Sequence, residues 1–309
     1  LALLKQGDEV LIPDNAYGPS KALAEGELAD WGITYRYFDP MDTADLAAKM
    51  SPQTKLVWLE AAGSVTLEFP DLYEQVRICR VAKVLCALDN TWGAGLAFKP
   101  FDLQPAQTAP LGVDISIQAL TKYPSGGGDV LMGSIISTDE RLHMRLKLCH
   151  MRLGLGVAAN DAESVLRSLP SLSLRYRQHD ETTRALATWC QQRDEFAQVL
   201  HPALEQSPGH LHWHALCGGA AGTAAGLFSV IFKPDLSQAQ VDAFCDALRL
   251  FKIGYSWGGP MSLVVPYQLE TMRSSWPGHV QRGILVRFSI GLESAADLQD
   301  DLLQALQHC

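Results

Sequence analysis

Short apolar runs of strand length alternate with amphipathic stretches through the first half of the chain. The apolar runs predict strands over residues 9–12, 35–38, 56–60, 84–89, 114–119 and 130–137. The amphipathic stretches predict helices over residues 21–30, 43–50, 72–81 and 139–149. Because strands that alternate with helices form mostly parallel sheets, this half predicts an α/β fold whose sheet is covered on both faces.

The pattern changes around residues 157–177, where longer helical stretches begin. It predicts strands over 227–232 and 285–290, and helices over 173–189, 194–200, 237–250 and 295–306. Ser237 is the predicted N-cap of the third of these helices. We therefore predict two domains, a large one over residues 1–170 and a smaller α/β domain over residues 171–309, with the boundary at Pro170.

The composition limits the classes of function. Of the 309 residues, 47% are hydrophobic and 19% are charged, which provides for a sizeable core and excludes intrinsic disorder. The 25 basic and 34 acidic side chains give a net charge of −9, so neither nucleic acid nor an anionic membrane is an expected partner. No apolar run approaches the roughly 20 residues of a membrane helix, and no signal peptide is visible.

Two groups of residues that often bind metals give no site here. Seven cysteines are scattered without CxxC spacing, which predicts reduced thiols in a cytoplasmic protein. His210, His212 and His214 alternate and would share one face of a strand, but we favour no metal site there. The glycines of 218–226 do not follow a strand in Gly-x-Gly-x-x-Gly order, which argues against a dinucleotide site.

Two charged residues follow apolar strands of the predicted sheet. Asp89 ends one strand, and Lys122 follows the next and precedes the glycine-rich loop 126–129. In open α/β sheets, ligands bind beyond the carboxyl ends of the strands. A desolvated lysine forms Schiff bases, and an aspartate keeps a pyridine nitrogen protonated, so the pair meets the requirements of pyridoxal phosphate. A turn or cap at Asp89 and a surface loop at Lys122 are the alternative interpretations.

Three further positions suggest a ligand site, and each has a structural alternative. Tyr17 follows the first strand, where its ring could stack on a flat cofactor or form part of a turn. Arg287 lies inside an apolar strand, and its guanidinium requires a carboxylate or phosphate, either on a substrate or in an internal salt bridge. The Tyr-Ser-Trp-Gly-Gly segment at 255–259 could line a pocket or form a core turn.

These motifs together resemble the Cys/Met metabolism (transsulfuration) family of pyridoxal-phosphate-dependent enzymes, along essentially the whole chain. The most specific stretches are residues 14–20, 59–68, 88–95, 114–133, 175–179, 255–259 and 284–293. The resemblance implies the PLP-dependent transferase fold of aspartate aminotransferase type I, with a large, mostly parallel sheet domain and a smaller C-terminal α/β domain. It also implies pyridoxal 5'-phosphate as the cofactor.

The resemblance assigns cofactor-binding roles to four residues. Lys122 matches the Schiff-base lysine, which is also the general base, and Asp89 matches the partner of the pyridine nitrogen. Tyr17 matches the tyrosine that stacks on the ring, and Lys122 or Tyr17 protonates the leaving sulfur. Thr121 matches a hydroxyl that contacts the phosphate.

The substrate side is implied in the same way. Arg287 matches the arginine that binds the substrate α-carboxylate, and Tyr255, Ser256 and Trp257 match a substrate-side segment. The implied activity is β-elimination of L-cystathionine to homocysteine, pyruvate and ammonia, a step of methionine biosynthesis. Trp257 favours this branch, because γ-acting relatives usually carry a leucine-like residue there.

Three alternatives stay open. One is a γ-acting relative, a synthase or a lyase. Another is a degenerate, non-catalytic homologue, which departures from the family pattern at Ala119, residues 61–62 and residues 126–129 would allow. An aminotransferase shares the fold, but residues 14–20 and 255–259 fit it badly.

The family also implies a homotetramer built from dimers that share active sites. In relatives, an N-terminal arm supplies a tyrosine and an arginine to the cofactor of the neighbouring subunit. This chain starts at Leu1, and residues 1–4 read as the tail of a helix. We therefore expect a fragment that lacks its natural N-terminus.

Overall fold

The computed structural model describes residues 1–104, 110–218 and 221–309. A six-stranded sheet forms in the first half, in the order β2-β1-β3-β4-β5-β6. All of its neighbouring strands run parallel except β5 and β6, which are antiparallel. The strands are β1 (Glu9–Pro13), β2 (Thr34–Phe38), β3 (Thr54–Glu60), β4 (Leu85–Asp89), β5 (Ile115–Ala119) and β6 (Gly133–Ile136).

Helices lie between successive strands from β1 to β4, as the alternating pattern predicts, and two more follow β6. They are α1 (Gly18–Leu23), which continues as a π-helical turn over Ala24–Leu28, α2 (Thr43–Lys49), α3 (Leu72–Ala82), α4 (Glu140–Arg152) and α5 (Ala159–Ser168). Aspartate N-caps begin three of them, because Asp42, Asp71 and Asp139 each accept hydrogen bonds from backbone N–H groups of the first turn. The predicted mostly parallel α/β sheet is therefore confirmed.

A second sheet of five strands forms in the rest of the chain, in the order β7-β8-β11-β10-β9. Its strands are β7 (Phe196–Leu200), β8 (Leu227–Phe232), β9 (Lys252–Ile253), β10 (Leu263–Tyr267) and β11 (Leu285–Ser289). The helices are α6 (Leu172–Cys190), α7 (His210–Cys217), α8 (Gln238–Ala247) and α9 (Ala295–Ala305). Ser237 caps α8 in a capping box with Gln240, as predicted.

Each sheet has its own buried apolar cluster. Phe228 and Phe288 stack at 4.9 Å between ring centroids in the cluster of the second sheet. Leu59, Leu88 and Phe69 belong to the cluster of the first. The domain boundary at Pro170 stays a prediction, and this residue lies in a 3-10 turn directly before α6.

Some predictions about local structure were wrong. Residues 194–200 do not form a helix, since Phe196–Leu200 is strand β7, which pairs antiparallel with β8. The three alternating histidines lie on helix α7 and not on a strand, so they do not share one face. His210 and His214 neighbour each other, with ring centroids 5.9 Å apart, while Nδ1 of His212 lies 3.8 Å from Asp71. Gly219 and Ala220, in the predicted glycine- and alanine-rich passage, lie outside the described residues.

Candidate active site

The predicted site residues meet at the carboxyl ends of the central parallel strands. Asp89 is the last residue of β4, and Lys122 follows the end of β5 by three residues. A cavity of about 250 Å³ opens there, and its lining includes Tyr17, Asp89, Thr121, Lys122, Trp257 and Arg287. The first sheet and the second both contribute residues to this lining. Ligands of open α/β sheets occupy this kind of position.

Hydrogen bonds from Thr91, two residues further along the chain, hold Asp89 at the cavity. Its Oδ1 accepts hydrogen bonds from the Thr91 backbone N–H at 2.9 Å and from the Thr91 hydroxyl at 2.5 Å. The Thr91 hydroxyl oxygen in turn accepts the Ala119 N–H at 2.9 Å, which ties β4 to β5. Burial raises the pKa of Asp89, whereas the Thr91 hydrogen bonds and the positive charge of Lys122 favour the ionised form.

Lys122 points its amine towards the second sheet. Its Nζ donates to the Ser256 hydroxyl at 3.0 Å and lies 5.2 Å from the centroid of the Trp257 ring. Burial lowers the pKa of this amine, the charge of Arg287 lowers it further, and Asp89 opposes both. A lower pKa leaves more of the lysine as the free amine, the form that acts as a nucleophile or a base.

Arg287 is buried in the middle of strand β11, with β8 and β10 on its two sides. Its Nη2 donates to the Tyr255 carbonyl at 2.8 Å, and its guanidinium lies 5.4 Å from the centroid of the Tyr267 ring. No carboxylate pairs with Arg287 among the residues that the structure describes, so the internal salt bridge considered for it does not form there. Its buried Nε likewise lacks a partner within those residues, which leaves the guanidinium available to an anion.

The segment over 255–259 does not form a core turn. Tyr255 is 73% exposed, and its carbonyl, not its ring, contacts Arg287. The Trp257 ring packs edge-on against the Tyr123 ring at 5.7 Å. Gly258 then follows in the left-handed conformation with φ +77°, and a Cβ there would lie 3.2 Å from Cβ of Lys122. The segment therefore packs directly on Lys122.

Tyr17 lies at the start of α1, at the rim of the cavity, and is 52% exposed. Its backbone N–H donates to both carboxylate oxygens of Glu60, each at 3.0 Å. Glu60 also accepts the indole N–H of Trp58 at 3.1 Å. Glu60 lines the cavity, and the sequence analysis assigned it no role. It is the last residue of β3, so the pattern that singled out Asp89, a carboxylate at the end of an apolar strand, would have identified it.

Comparison with known proteins identifies the family. A sequence model of the Cys/Met metabolism PLP-dependent enzymes matches residues 1–307. The chain belongs to this family. It is 37% identical over 306 residues to the cystathionine beta-lyase of Salmonella typhimurium, covering 98% of this chain and 74% of that protein. It is 37% identical over 314 residues to the cystathionine beta-lyase of Bordetella avium, covering 99% and 73%.

A solved structure supports the same family membership. Cystathionine gamma synthase from Xanthomonas oryzae pv. oryzae, in complex with aminoacrylate and cysteine, superposes with a TM-score of 0.86 at 28% identity. The match covers 99% of this chain and 77% of that structure. The predicted fold class is therefore confirmed, and this family of enzymes depends on pyridoxal phosphate and acts on amino acids.

The residues of the cavity fit this cofactor. Lys122 supplies an amine of lowered pKa for an aldehyde, and Asp89 supplies a carboxylate for a ring nitrogen. Tyr17 adds an aromatic ring and Thr121 a hydroxyl to the same lining. In the residues described, no cluster of His, Cys, Asp or Glu has the arrangement of a metal site. Across the same ranges, no helix combines the length and apolar character needed to span a membrane.

Proposed function

We propose that this protein cleaves L-cystathionine by β-elimination and releases homocysteine, pyruvate and ammonia. The observation that carries the proposal is the convergence of Lys122, Asp89 and Arg287 on one cavity. This combination provides an amine, a ring-nitrogen partner and a carboxylate receptor for an amino-acid substrate. The similarity to two cystathionine beta-lyases supports the choice of reaction.

The cofactor supplies, when bound, an electron sink for negative charge that develops at the substrate Cα. Asp89 would hold the proton on the pyridine nitrogen, because its ionised form is favoured by the two Thr91 hydrogen bonds. Tyr17 would supply the aromatic ring for stacking, and Thr121 the hydroxyl for the phosphate. Lys122 would be the amine that holds the aldehyde.

Arg287 binds the substrate α-carboxylate. Its Nη2 is already fixed by the Tyr255 carbonyl, so the guanidinium keeps one orientation at the cavity that it lines. A two-point contact with a carboxylate fixes the direction of the Cα–H bond. Trp257 lines the same cavity, and Ser256 contacts the amine of Lys122.

Lys122 removes the Cα proton as the general base. Burial and the charge of Arg287 both favour its neutral amine, which is the form that accepts a proton. The Ser256 hydroxyl, at 3.0 Å, orients that amine. As the Cβ–S bond breaks, Lys122 or the Tyr17 hydroxyl supplies the proton to the leaving sulfur.

The assembly and its location are part of the proposal. We expect a homotetramer of dimers with shared active sites, in the cytoplasm. Large apolar side chains exposed on α4 and just after it, including Met144, Met151 and Leu155, support association with other copies. Light scattering of the purified protein measures the oligomer directly.

The test is to identify the keto acid formed from L-cystathionine. The protein is purified with pyridoxal phosphate and mixed with the substrate. Pyruvate with homocysteine supports the proposal. Formation of 2-oxobutyrate with cysteine would replace it with a γ-lyase, and no keto acid from cofactor-loaded protein would overturn it. Lys122→Ala is expected to abolish turnover, whereas Lys233→Ala, at an exposed position directly after β8, is the matched control.

A further inference from the structure

A buried arginine lies beside the site without lining its cavity. Arg273 follows strand β10, and its side chain is 6% exposed. Its Nε lies 3.3 Å from Oδ2 of Asp14, and its Nη1 lies 2.9 Å from Oε2 of Glu68. None of these three residues has a role in the proposed reaction. Burying three charged groups costs free energy. The segments that their contacts join are therefore the clue to what this cluster does.

The Asp14 end of the cluster fixes the segment that carries Tyr17. Asp14 directly follows β1, and its carboxylate accepts the Ser274 N–H at 3.0 Å and the Ser274 hydroxyl at 2.8 Å. Lys21, on α1, donates to the Met272 carbonyl at 2.8 Å. Residues 272–274 are thereby attached to both sides of Tyr17.

The Glu68 end fixes the wall of the cavity. Glu68 is fully buried and accepts the Asn15 side-chain N–H at 2.6 Å and the Thr66 hydroxyl at 2.9 Å. His279 contacts its other oxygen. The Asn15 carbonyl accepts the Ser64 N–H at 2.9 Å. Glu68 therefore joins the segment before Tyr17 to residues 63–68, several of which line the cavity.

That wall holds a strained backbone. Val65 and Leu67 have φ values of +68° and +55°, in the left-handed region that side chains other than glycine rarely adopt. Both residues line the cavity. Such conformations persist where surrounding contacts over-determine them. The bonds of Glu68, together with the 2.6 Å hydrogen bond from the Ser229 hydroxyl to the Val65 carbonyl, are those contacts.

Arg273 stabilises the ionised form of both carboxylates in the cluster. Burial by itself raises the pKa of Glu68, but hydrogen bonds from His279 and Arg273 and the charge of Arg273 lower it to about 2. Burial also acts against Asp14, whose pKa is lowered by Ser274, Lys21 and Arg273. Without Arg273, Glu68 would be a buried carboxylate whose full charge is not compensated.

We propose that Arg273 is a positioning residue that holds Tyr17 and the cavity wall over residues 63–68 in their functional arrangement. It acts through Asp14 and Glu68 and does not touch the reacting atoms. Only the kinetic test of this inference rests on the proposed function, and the hydrogen-exchange test does not.

Hydrogen exchange of the purified protein tests the positioning directly. In Arg273→Met, amide exchange over residues 63–68 and at Tyr17 should speed up by roughly tenfold or more. The hydrogen bonds of Asp14 and Glu68 that hold these segments should then break locally more often. Amides of the β8–β11 ladder should keep their wild-type rates. Arg282→Met is the matched control, since this exposed arginine stacks on Trp276 in the same segment of the chain. Wild-type exchange over 63–68 in Arg273→Met would overturn the inference.

Kinetics separate positioning from stability. At equal cofactor occupancy, and well below the unfolding temperature, Arg273→Met should lower kcat by about 10- to 100-fold. Arg273→Lys should recover part of this loss, since one ammonium reaches one of the two carboxylates. In the double variant Glu68→Gln with Arg273→Met, the uncompensated carboxylate is gone, so the unfolding midpoint should recover while kcat stays low. A kcat that recovers together with the midpoint would mean a purely structural role.

The two proposals can fail separately. If the wild-type protein forms no keto acid from L-cystathionine, the proposed function fails, and hydrogen exchange still decides the role of Arg273. If the wild type is active and Arg273→Met exchanges and turns over like the wild type, only the positioning role fails.

Discussion

Glu60 and Asp89 are register partners at the carboxyl ends of the neighbouring parallel strands β3 and β4. Side chains of register partners in a sheet point to the same face, so two acidic groups share one edge of the cavity. Burial and the charge of Asp89 raise the pKa of Glu60 to about 8. Because Asp89 has the Thr91 hydrogen bonds and the nearby charge of Lys122, we infer that Asp89 holds the negative charge and Glu60 holds the proton at neutral pH.

This relationship predicts a dependence of stability on pH. An acid whose pKa is raised from 4.5 to about 8 on folding binds more protons in the folded state, so its contribution to stability is lost as the pH rises from 4.5 through 8. Glu60→Gln removes the titrating group and keeps an oxygen acceptor for the Tyr17 N–H. Relative to wild type, the variant should therefore become more stable as the pH rises from 5 to about 8.

Urea unfolding at several pH values within this window measures the effect. Glu163→Gln, at an exposed position of α5, is the control and should follow the wild type. Parallel curves for Glu60→Gln and wild type would show that Glu60 is already ionised at pH 5. Activity at pH 7 should change little, because the amide resembles the protonated acid in shape and charge.

Arg287→Lys should weaken substrate binding more than folding. Lysine keeps the positive charge but loses the planar fork that contacts both oxygens of a carboxylate. It also loses the hydrogen bond that Nη2 makes to the Tyr255 carbonyl. One charge-assisted hydrogen bond is worth about 1.5–3 kcal/mol, so kcat/KM for L-cystathionine should fall roughly 10- to 100-fold.

Steady-state kinetics with a cofactor titration separate the two effects. The affinity for pyridoxal phosphate should stay close to that of wild type, because the role assigned to Arg287 is on the substrate. An unchanged KM together with lost cofactor affinity would move Arg287 to the cofactor side of the site.

Charged residues within or just after apolar runs could be identified from the sequence as candidate functional residues. The reason is that burying a charge costs free energy unless the charge is paired or used. Asp89, Lys122 and Arg287 were found in this way, and the structure places all three at one cavity. Glu60 is also a carboxylate at the end of an apolar strand, but the sequence analysis gave it no role. The family resemblance then supplied an expected role for each residue found, which the physical pattern alone left open.

Contacts between distant segments were not predictable. Strand β7 has five residues, too few for a period of 2 to be distinguished from one of 3.6, and its pairing with β8 decides its structure. Strand β10 contains Pro266, which normally argues against a strand. The link from Arg273 to Asp14 joins residues 259 positions apart, and no local pattern indicates it.

The buried ring of His201 should limit stability in acid. Burial and the charge of Arg184 lower its pKa from 6.5 to about 3, so the folded state resists its protonation. The unfolded state binds the proton first, and stability present above pH 6.5 is lost as the pH falls from 6.5 towards 3. The loss is on the order of 4 kcal/mol at the acid end of this window.

His201→Asn tests this effect with the local structure retained. The Nδ1 atom of His201 accepts the Ala203 N–H at 3.3 Å, and an asparagine side-chain oxygen can accept the same bond two residues on. Unfolding free energies measured between pH 7 and 4 should fall less steeply in the variant. His308→Asn, at an exposed position, should leave the wild-type slope unchanged, and an unaltered slope in His201→Asn would contradict the prediction.

Gly258→Ala should damage the site by moving the backbone that packs on Lys122. Gly258 has φ +77°, and an added Cβ would lie 3.0 Å from the Tyr123 nitrogen and 3.2 Å from Cβ of Lys122. The left-handed conformation alone costs about 1–2 kcal/mol for an L-residue, and the contact adds to it. Gly278→Ala is the matched control, because its Cβ would meet nothing within 4 Å. Turnover should fall about tenfold or more in Gly258→Ala only, because a small displacement of Lys122 misaligns the base with the Cα proton. Equal turnover in the two variants would show that the loop tolerates the added methyl group.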